Sequence, residues 1–354
     1  MSSAHRTAPA QLFVGVDIAA ATFTAAWAAP GLPPSTPRTF DQSPSGFSGL
    51  QQALAVTGGA PTATVVVLEA TGSYWVALAT TLHHAGYCVS IVNPAQVHNY
   101  ARSLPRRSKT DALDAQLLAQ FAAERQPALW TPPPAVYHEL RQRLVTRDGL
   151  LEMRQQARNQ LHALEQWPVQ ITAVHQQLTA VIDQLDEHVA TLDRAIATAL
   201  ADGAGSHTVG TASAARLNTI PGIGLMTAAW LLVATVNFTT CATPEAAAHY
   251  AGLAPLERQS GTSVRGHPRI GHSGNSRLRT ALYMATLSAA QHNPVIKPFY
   301  TRLRTAGKPA KVARCAAARK LLHLAFAVVT KEQDFDPSYQ KLPSVTLPET
   351  EIAP

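Results

Sequence analysis

Apolar residues in the first ninety positions come in short, nearly unbroken runs. Leu12 to Ile18 (LFVGVDI), Thr64 to Leu68 (TVVVL) and Tyr87 to Val92 (YCVSIV) are β-branched and too short for buried helices, so each predicts a buried strand. Thr22 to Ala28 (TFTAAWA) follows closely enough to be the next strand of a meander. The Pro-rich stretch Pro30 to Pro37 reads as a loop, and Ser45 to Ala55 as a helix with Ser or Pro at its start. Thr71-Gly72-Ser73 turns the chain into a second helix, from Tyr74 to about Ala85, and Asn93-Pro94 stops the last strand. Strands alternating with helices predict an α/β domain with a buried, largely parallel sheet.

The period then changes. Leu178, Ile182, Leu185, Val189, Leu192 and Ile196 step by four and three, a heptad stripe. Leu140, Leu144, Leu151 and Leu161 form a looser stripe before Trp167-Pro168 interrupts. Two antiparallel helices, or a kinked pair, packed as a coiled coil are expected, serving either as a hairpin within one subunit or as a dimerisation arm. A chain of 354 residues is long enough for two or three domains. The Pro run at Pro132 to Pro134 and the Gly/Ser/Thr-rich link Gly203 to Ser213 divide it into an α/β domain over 11–131, a coiled-coil arm over 135–202 and a mostly helical domain over 213–333. The polar segment 334–354 reads as a flexible tail, and residues 1–10 as a disordered start.

Charge sharpens this division. The net charge is +7, but Arg216 to Lys320 holds fourteen Lys and Arg against two acids, Glu245 and Glu257. That half is suited to a polyanion, and nucleic acid fits better than a membrane, since no segment has an amphipathic, aromatic-anchored pattern. Cys88, Cys241 and Cys315 are far apart, which supports neither a zinc site nor a disulfide framework. The N-terminus lacks a signal-type apolar region, and the apolar stretch Met226 to Val236 is too short to span a bilayer. A soluble protein of the cytoplasm is expected.

Chemistry concentrates around Lys109-Thr110-Asp111-Ala112-Leu113-Asp114. Asp111 and Asp114 share one face of a helix, where like charges are unfavourable without a cation between them. Arg102, Arg106, Arg107 and Lys109 crowd the approach and suit phosphate. Asp17 and Glu69 close two predicted strands, the ends where ligands gather in open α/β sheets. Four such oxygen ligands suit Mg²⁺ or Mn²⁺, and paired ions can stabilise both oxygens of an in-line phosphoryl displacement. Singly, each acid serves as well in a turn, and Thr110 or Asp111 as an N-cap.

Three further stretches bear on a nucleic-acid ligand. Ile220-Pro221-Gly222-Ile223-Gly224 is either a helix-hairpin-helix turn, whose Gly222 and Gly224 amides meet a phosphate, or a tight interhelical turn without a ligand. Arg258-Gln259-Ser260-Gly261-Thr262-Ser263-Val264-Arg265-Gly266-His267-Pro268-Arg269 cannot be a regular helix. Its Ser260 could reach a phosphorus while Arg258, Arg265 and Arg269 offset charge, or the whole could be a solvated basic loop. Gly274-Asn275-Ser276-Arg277-Leu278-Arg279 starts a helix with its cations against the dipole, which suggests a bound anion near Asn275, Arg277 and Arg279. The histidines show no metal-ligand spacing, and no Walker A, GxGxxG or GxSxG motif is present.

The order VGVDI, LEATGSYW, VNPAQVHNYARS and KTDALDA, followed by LNTIPGIGLMTAAWLL, YAGLAP, RQSG and GNSRLRTALYMA, resembles the DEDD-type transposases of bacterial insertion sequences, the IS one-ten family, related to the Piv invertases. The resemblance spans Leu12 to about Lys331. It implies a RuvC-like, RNase H-type first domain whose Mg²⁺-holding acids fall on Asp17, Glu69, Asp111 and Asp114. It further implies a nucleophilic serine at Ser260, with Ser263 the lesser candidate, that forms a covalent phosphoserine–DNA link before strand exchange. The partners it implies are element and target DNA and a structured non-coding guide RNA; the heptad stripe makes a homodimer or homotetramer plausible. One departure is Ala20, where the family often carries Lys, a phosphate contact that Lys109 or Arg102 would have to supply. Two other readings stay open: a RuvC-like nuclease without covalent serine chemistry, and a non-catalytic nucleic-acid-binding protein.

Overall fold

Alternation along the first strand builds the N-terminal unit. In β1 (Leu12–Ile18), Leu12, Val14 and Val16 face one apolar cluster and Phe13 the other, so both faces of the sheet are covered. The computed structural model describes residues 9–104, 110–201, 208–260, 264–271 and 273–338. It divides into two compact units, Met1–Pro132 and Pro133–Pro354.

In the first unit β1 is followed by β2 (Thr22–Ala28), β3 (Arg38–Asp41), α1 (Pro44–Val56), β4 (Thr64–Glu69), α2 (Trp75–His84), β5 (Cys88–Val92), α3 (Pro94–Arg102) and α4 (Asp111–Arg125). The strands lie in the order β3-β2-β1-β4-β5. β1, β2 and β3 are antiparallel, while β4 and β5 run parallel to β1. The sheet is therefore mixed rather than largely parallel, because the short β1–β2 and β2–β3 connections permit only hairpin pairing. Neither β3 nor α3 was expected from the sequence. The first is four exposed or half-exposed residues at a sheet edge, and the second follows an Asn93 whose side chain caps the amide of Ala95. Phe47, Leu50, Leu54, Leu78 and Leu82 of α1 and α2 cover one face of the sheet; Val97, Tyr100, Leu117, Leu118 and Phe121 of α3 and α4 cover the other.

The second unit opens on a long helical hairpin, α5 (Ala135–Leu164) and α6 (Thr172–Ala201), turning at Trp167-Pro168. Ion pairs of Arg147 with Asp193, Arg154 with Asp186, and Arg158 with Asp186 at 3.0 Å fix the antiparallel register. Ile182, Val189 and Ile196 of the heptad stripe are buried, whereas Leu178, Leu185 and Leu192 are only half-buried. Leu140, Leu144, Ile196 and Leu200 join a single core with α7 (Thr208–Asn218), α8 (Leu225–Thr235), α9 (Pro244–Tyr250), α10 (Ser276–His292), α11 (Ile296–Thr305) and α12 (Ala310–Thr330). α8 is buried from Ala228 to Thr235, which explains why it is apolar all round. None of the described helices is long and apolar enough to cross a membrane. Between α9 and α10 stands a two-stranded antiparallel hairpin, β6 (Pro255–Ser260) and β7 (Val264–Ile270), where the sequence suggested an irregular loop.

At the ends, α7 begins inside the expected linker, while the rest of that linker, at 202–207, lies outside the described residues. The expected tail is anchored at its start: Phe335 packs on the core and its amide donates to Thr219 Oγ1 at 2.9 Å.

Candidate active site

The acids meet because of a glycine. A Cβ on Gly15 would lie 2.2 Å from the amide nitrogen of Ala119 and 2.3 Å from the carbonyl oxygen of Ala115, so α4 rests directly on β1. One turn back along α4 from Ala115 is Asp111, and two residues on from Gly15 is Asp17. A helical turn and two strand residues advance similar distances, about 5.4 and 6.6 Å, so the two acids keep step. Asp17 and Glu69 share the strand parity of Phe13, Val65 and Val67, whose side chains enter the α4 side of the sheet. The β1–β4 register pairs Val16 with Leu68, which sets the next residues, Asp17 and Glu69, side by side.

Electrostatics reports the convergence. The Asp17 carboxyl is pushed up to about 6, first by burial and then by the charges of Asp114, Asp111 and Glu69. Thr110 is the N-cap of α4, its Oγ1 accepting from the Leu113 amide at 3.3 Å, so Asp111 and Asp114 occupy the first turn, where the helix dipole favours anions. Thr71 Oγ1 donates to Glu69 Oε1 at 2.7 Å and orients that carboxylate. Among the described residues no group of three or more His, Cys, Asp or Glu closes to metal-holding distance. The charges of Asp114, Asp111 and Glu69 all act on Asp17. As a donor set they fit a hard divalent cation, since all are carboxylates and their mutual repulsion is what such an ion would relieve.

Of the nearby cations, Arg102 is exposed in the last turn of α3; Arg106, Arg107 and Lys109 lie outside the described residues. Ala20 is exposed in the β1–β2 turn.

In the second unit Ser260 ends β6, paired with Val264 across a tip whose residues 261–263, Ser263 among them, lie outside the described residues. Arg258 pairs with Gly266 and Arg265 with Gln259, and Arg269 pairs with Leu256 across a bulge. The hairpin stands on a clamp between its two flanks. The Asn275 amide donates to the Tyr250 carbonyl at 2.7 Å, and Arg279 Nη1 donates to the carbonyls of Ser273 at 3.0 Å and Ala251 at 3.4 Å. Gly252 and Gly274 have φ of +68° and +93°, and a Cβ on Gly274 would meet the Gly252 amide nitrogen at 2.6 Å. This clamp escaped the sequence reading, although its signal, two glycines flanking a basic Ser/Thr segment, was visible.

The clamp also explains cations that suggested a bound anion. Arg279 is held by carbonyls, while Arg277 Nη1 pairs with Asp148 Oδ2 at 3.1 Å and its guanidinium lies over Trp230. Asn275 Oδ1 caps the Leu278 amide, and burial raises the Asp148 carboxyl against the pull of Arg277 and Arg147. All three residues thus have internal partners. The Pro-Gly-Ile-Gly turn does join two helices, α7 and α8. Gly222, at φ +101°, is pressed on Ala289 of α10, whereas Gly224, the N-cap of α8, has open space around it.

Comparison with known proteins finds two family matches, the first of which runs past the boundary between the units and through α5. Residues 14–166 match a DEDD family described as Transposase, and residues 214–301 match the Transposase IS116/IS110/IS902 family. The pilin gene-inverting protein of Moraxella bovis is 33% identical over 339 residues, covering 92% of this chain and 97% of that protein. Its counterpart in Moraxella lacunata is 32% identical over the same span, and an insertion element IS110 protein of Streptomyces coelicolor is 36% identical over 115 residues, 32% of this chain and 28% of that protein. The chain belongs to the IS110 family of transposases. Membership makes it a DNA-cleaving, strand-exchanging enzyme with DNA as substrate, and the DEDD label points to a divalent cation. The first IS110 match contains Asp17, Glu69, Asp111 and Asp114, and the second contains the Pro-Gly-Ile-Gly turn, the Ser260 hairpin and its clamp.

Proposed function

We propose that this transposase is RNA-guided and exchanges DNA strands through a covalent phosphoserine intermediate, using a four-carboxylate site together with Ser260. The observation that carries the four-carboxylate site is α4 resting on Gly15 of β1, which brings the start of α4 toward the strand ends that bear Asp17 and Glu69; the family match over 214–301, which contains Ser260, supports the serine half. Residues 11–131 are read as an RNase H-like, RuvC-like catalytic domain, a reading supported by the β3-β2-β1-β4-β5 order with its acid on the central strand. Residues 135–202 form the arm, 213–333 the serine-bearing domain and 334–354 the tail.

Asp17, Glu69, Asp111 and Asp114 would hold Mg²⁺, or Mn²⁺ in its place, which when bound offsets phosphate charge and polarises the phosphoryl oxygen. Ser260 Oγ forms a bond to phosphorus as the bond to a deoxyribose oxygen breaks, and that oxygen takes up the serine proton. Attack by a deoxyribose hydroxyl on the phosphoserine then reseals a strand and returns the serine, with no oxidant or energy source needed. Arg102, Arg106, Arg107 and Lys109 offset phosphate charge beside the acids; Arg258, Arg265 and Arg269 do so on the hairpin, and Gly224 offers the α8 N-terminus. The half-buried Leu178, Leu185 and Leu192 support the arm as the contact of a homodimer or homotetramer, at work in the bacterial cytoplasm.

Ser260→Ala tests the covalent step. It should abolish both the protein–DNA adduct and strand exchange while leaving divalent-cation binding intact; exchange that persists in the variant refutes the serine mechanism, and cutting without rejoining favours a plain RuvC-like nuclease. Sequencing of co-purifying RNA tests guidance, since a preparation free of RNA that still recombines DNA would refute it.

A further inference from the structure

The C-terminal unit holds a cavity of about 640 Å³ at the foot of the serine hairpin. Pro255 and Ile270, the first pair of β6 and β7, form one edge; Leu253, Phe299, Val312 and Cys315 supply apolar wall. Lys311, Arg319 and Lys320 of α12 also line it, and among the described residues no acid does, though the charge of Glu245 reaches Arg319 and His323. Its size suits a nucleotide-sized guest, and apolar surface with convergent cations is the chemistry of a planar base on a charged backbone.

Three further side chains define the cavity wall. His323 stands in the wall, its Nε2 buried without a hydrogen-bond partner, and burial and Arg319 hold its ring below the usual histidine range against the opposing charge of Glu245. Val312 is 53% exposed, an apolar side chain left in water at the cavity. Lys320 lies over the Phe299 ring, 4.7 Å from its centroid, and burial beside Arg302 holds its ammonium below the usual lysine range, a cost that a phosphate would relieve.

We propose that this cavity receives one unstacked nucleobase of a single-stranded segment, with Lys311, Arg319 and Lys320 on the adjoining phosphates. The inference rests on the nucleic-acid function above and deepens it. Ser260 lies five residues up β6 from Pro255, about 16 Å at strand rise, so a base seated here anchors the strand a short way from the serine. Extruding a base costs least where strands are already open, as they are during exchange.

Cys315 supplies the probe. In the full-length chain, a short single-stranded oligothymidylate should slow maleimide modification of Cys315, read by peptide mass spectrometry, about tenfold. An abasic oligomer of the same length and charge should not. Equal protection by both would mean that only backbone phosphate binds there, and protection by neither that nothing does; either result overturns the proposal. Val312→Trp, which fills the cavity from an exposed position, should weaken oligothymidylate binding about tenfold and leave abasic binding unchanged; unaltered oligothymidylate binding also overturns it. A chain that protects Cys315 yet exchanges no strands would sink the function above and spare the cavity, and one that exchanges strands with Cys315 unprotected would do the reverse.

Discussion

The carboxylate cluster and the serine hairpin are built on opposite plans. The acids come from two strand ends and a helix start that are far apart in sequence, and they converge because α4 lies on Gly15 with no side chain between. Ser260 sits on a hairpin that pairs only with itself among the described strands, and is set by a clamp of residues immediately flanking it. A site made by long-range packing can concentrate like charge, because the core around it holds the repelling groups in place. A site on a short hairpin is positioned instead by its own cross-strand pairs and by the residues that flank it.

Substitutions can break this contrast, beginning with the largest effect. Asp111→Asn should cut strand cleavage about a thousandfold, some 4 kcal/mol of barrier, in a reaction time course, while circular dichroism stays unchanged. Gly15→Ala should cost about 3 kcal/mol or more in chemical denaturation, because its Cβ strikes the α4 backbone, and divalent-cation binding should fall with it. Gly274→Ala should cost about 2 kcal/mol through its positive φ and the Gly252 backbone, lowering adduct formation while calorimetry still finds the cation bound. If Gly274→Ala abolished cation binding as well, the two sites would not be independent constructions.

Asp17 sharpens the contrast through pH. Its carboxyl is raised from 3.8 to about 6 in the folded chain, so the folded state favours the protonated form. The associated stability is fully present below 3.8 and lost as pH rises through about 6. Metal-free Asp17→Asn should therefore be more stable than the parent near pH 7.5 by about 1 to 2 kcal/mol, after allowance for solvent screening. The difference should vanish at acid pH and shrink when Mg²⁺ is added. The smallest effect belongs to Asn275→Ala, which removes the α10 N-cap and should cost about 1 kcal/mol in thermal unfolding without altering the pH profile.

Much of the chain was legible where its strands and helices obey local rules. The apolar runs became β1, β4 and β5, Thr110 capped α4, and the heptad stripe became α6 in an antiparallel hairpin. What escaped were elements fixed by neighbours. β3 has almost no apolar signal and exists because β2 offers it an edge, and the β6–β7 hairpin looked like a loop because its residues are polar, basic and rich in glycine.

By itself, then, the sequence determined the element types, the division of acid and basic chemistry between the two halves, and the family motifs. Those depend on residue type and short-range spacing. Only the tertiary structure decided that Asp17, Glu69, Asp111 and Asp114 share one electrostatic field, that Arg277 and Arg279 are held by internal partners, and that a cavity lies beneath the serine. Each of these follows from which surfaces meet across long stretches of chain, and a linear pattern does not encode a Gly15 pressed against Ala119 or a Gly274 against Gly252.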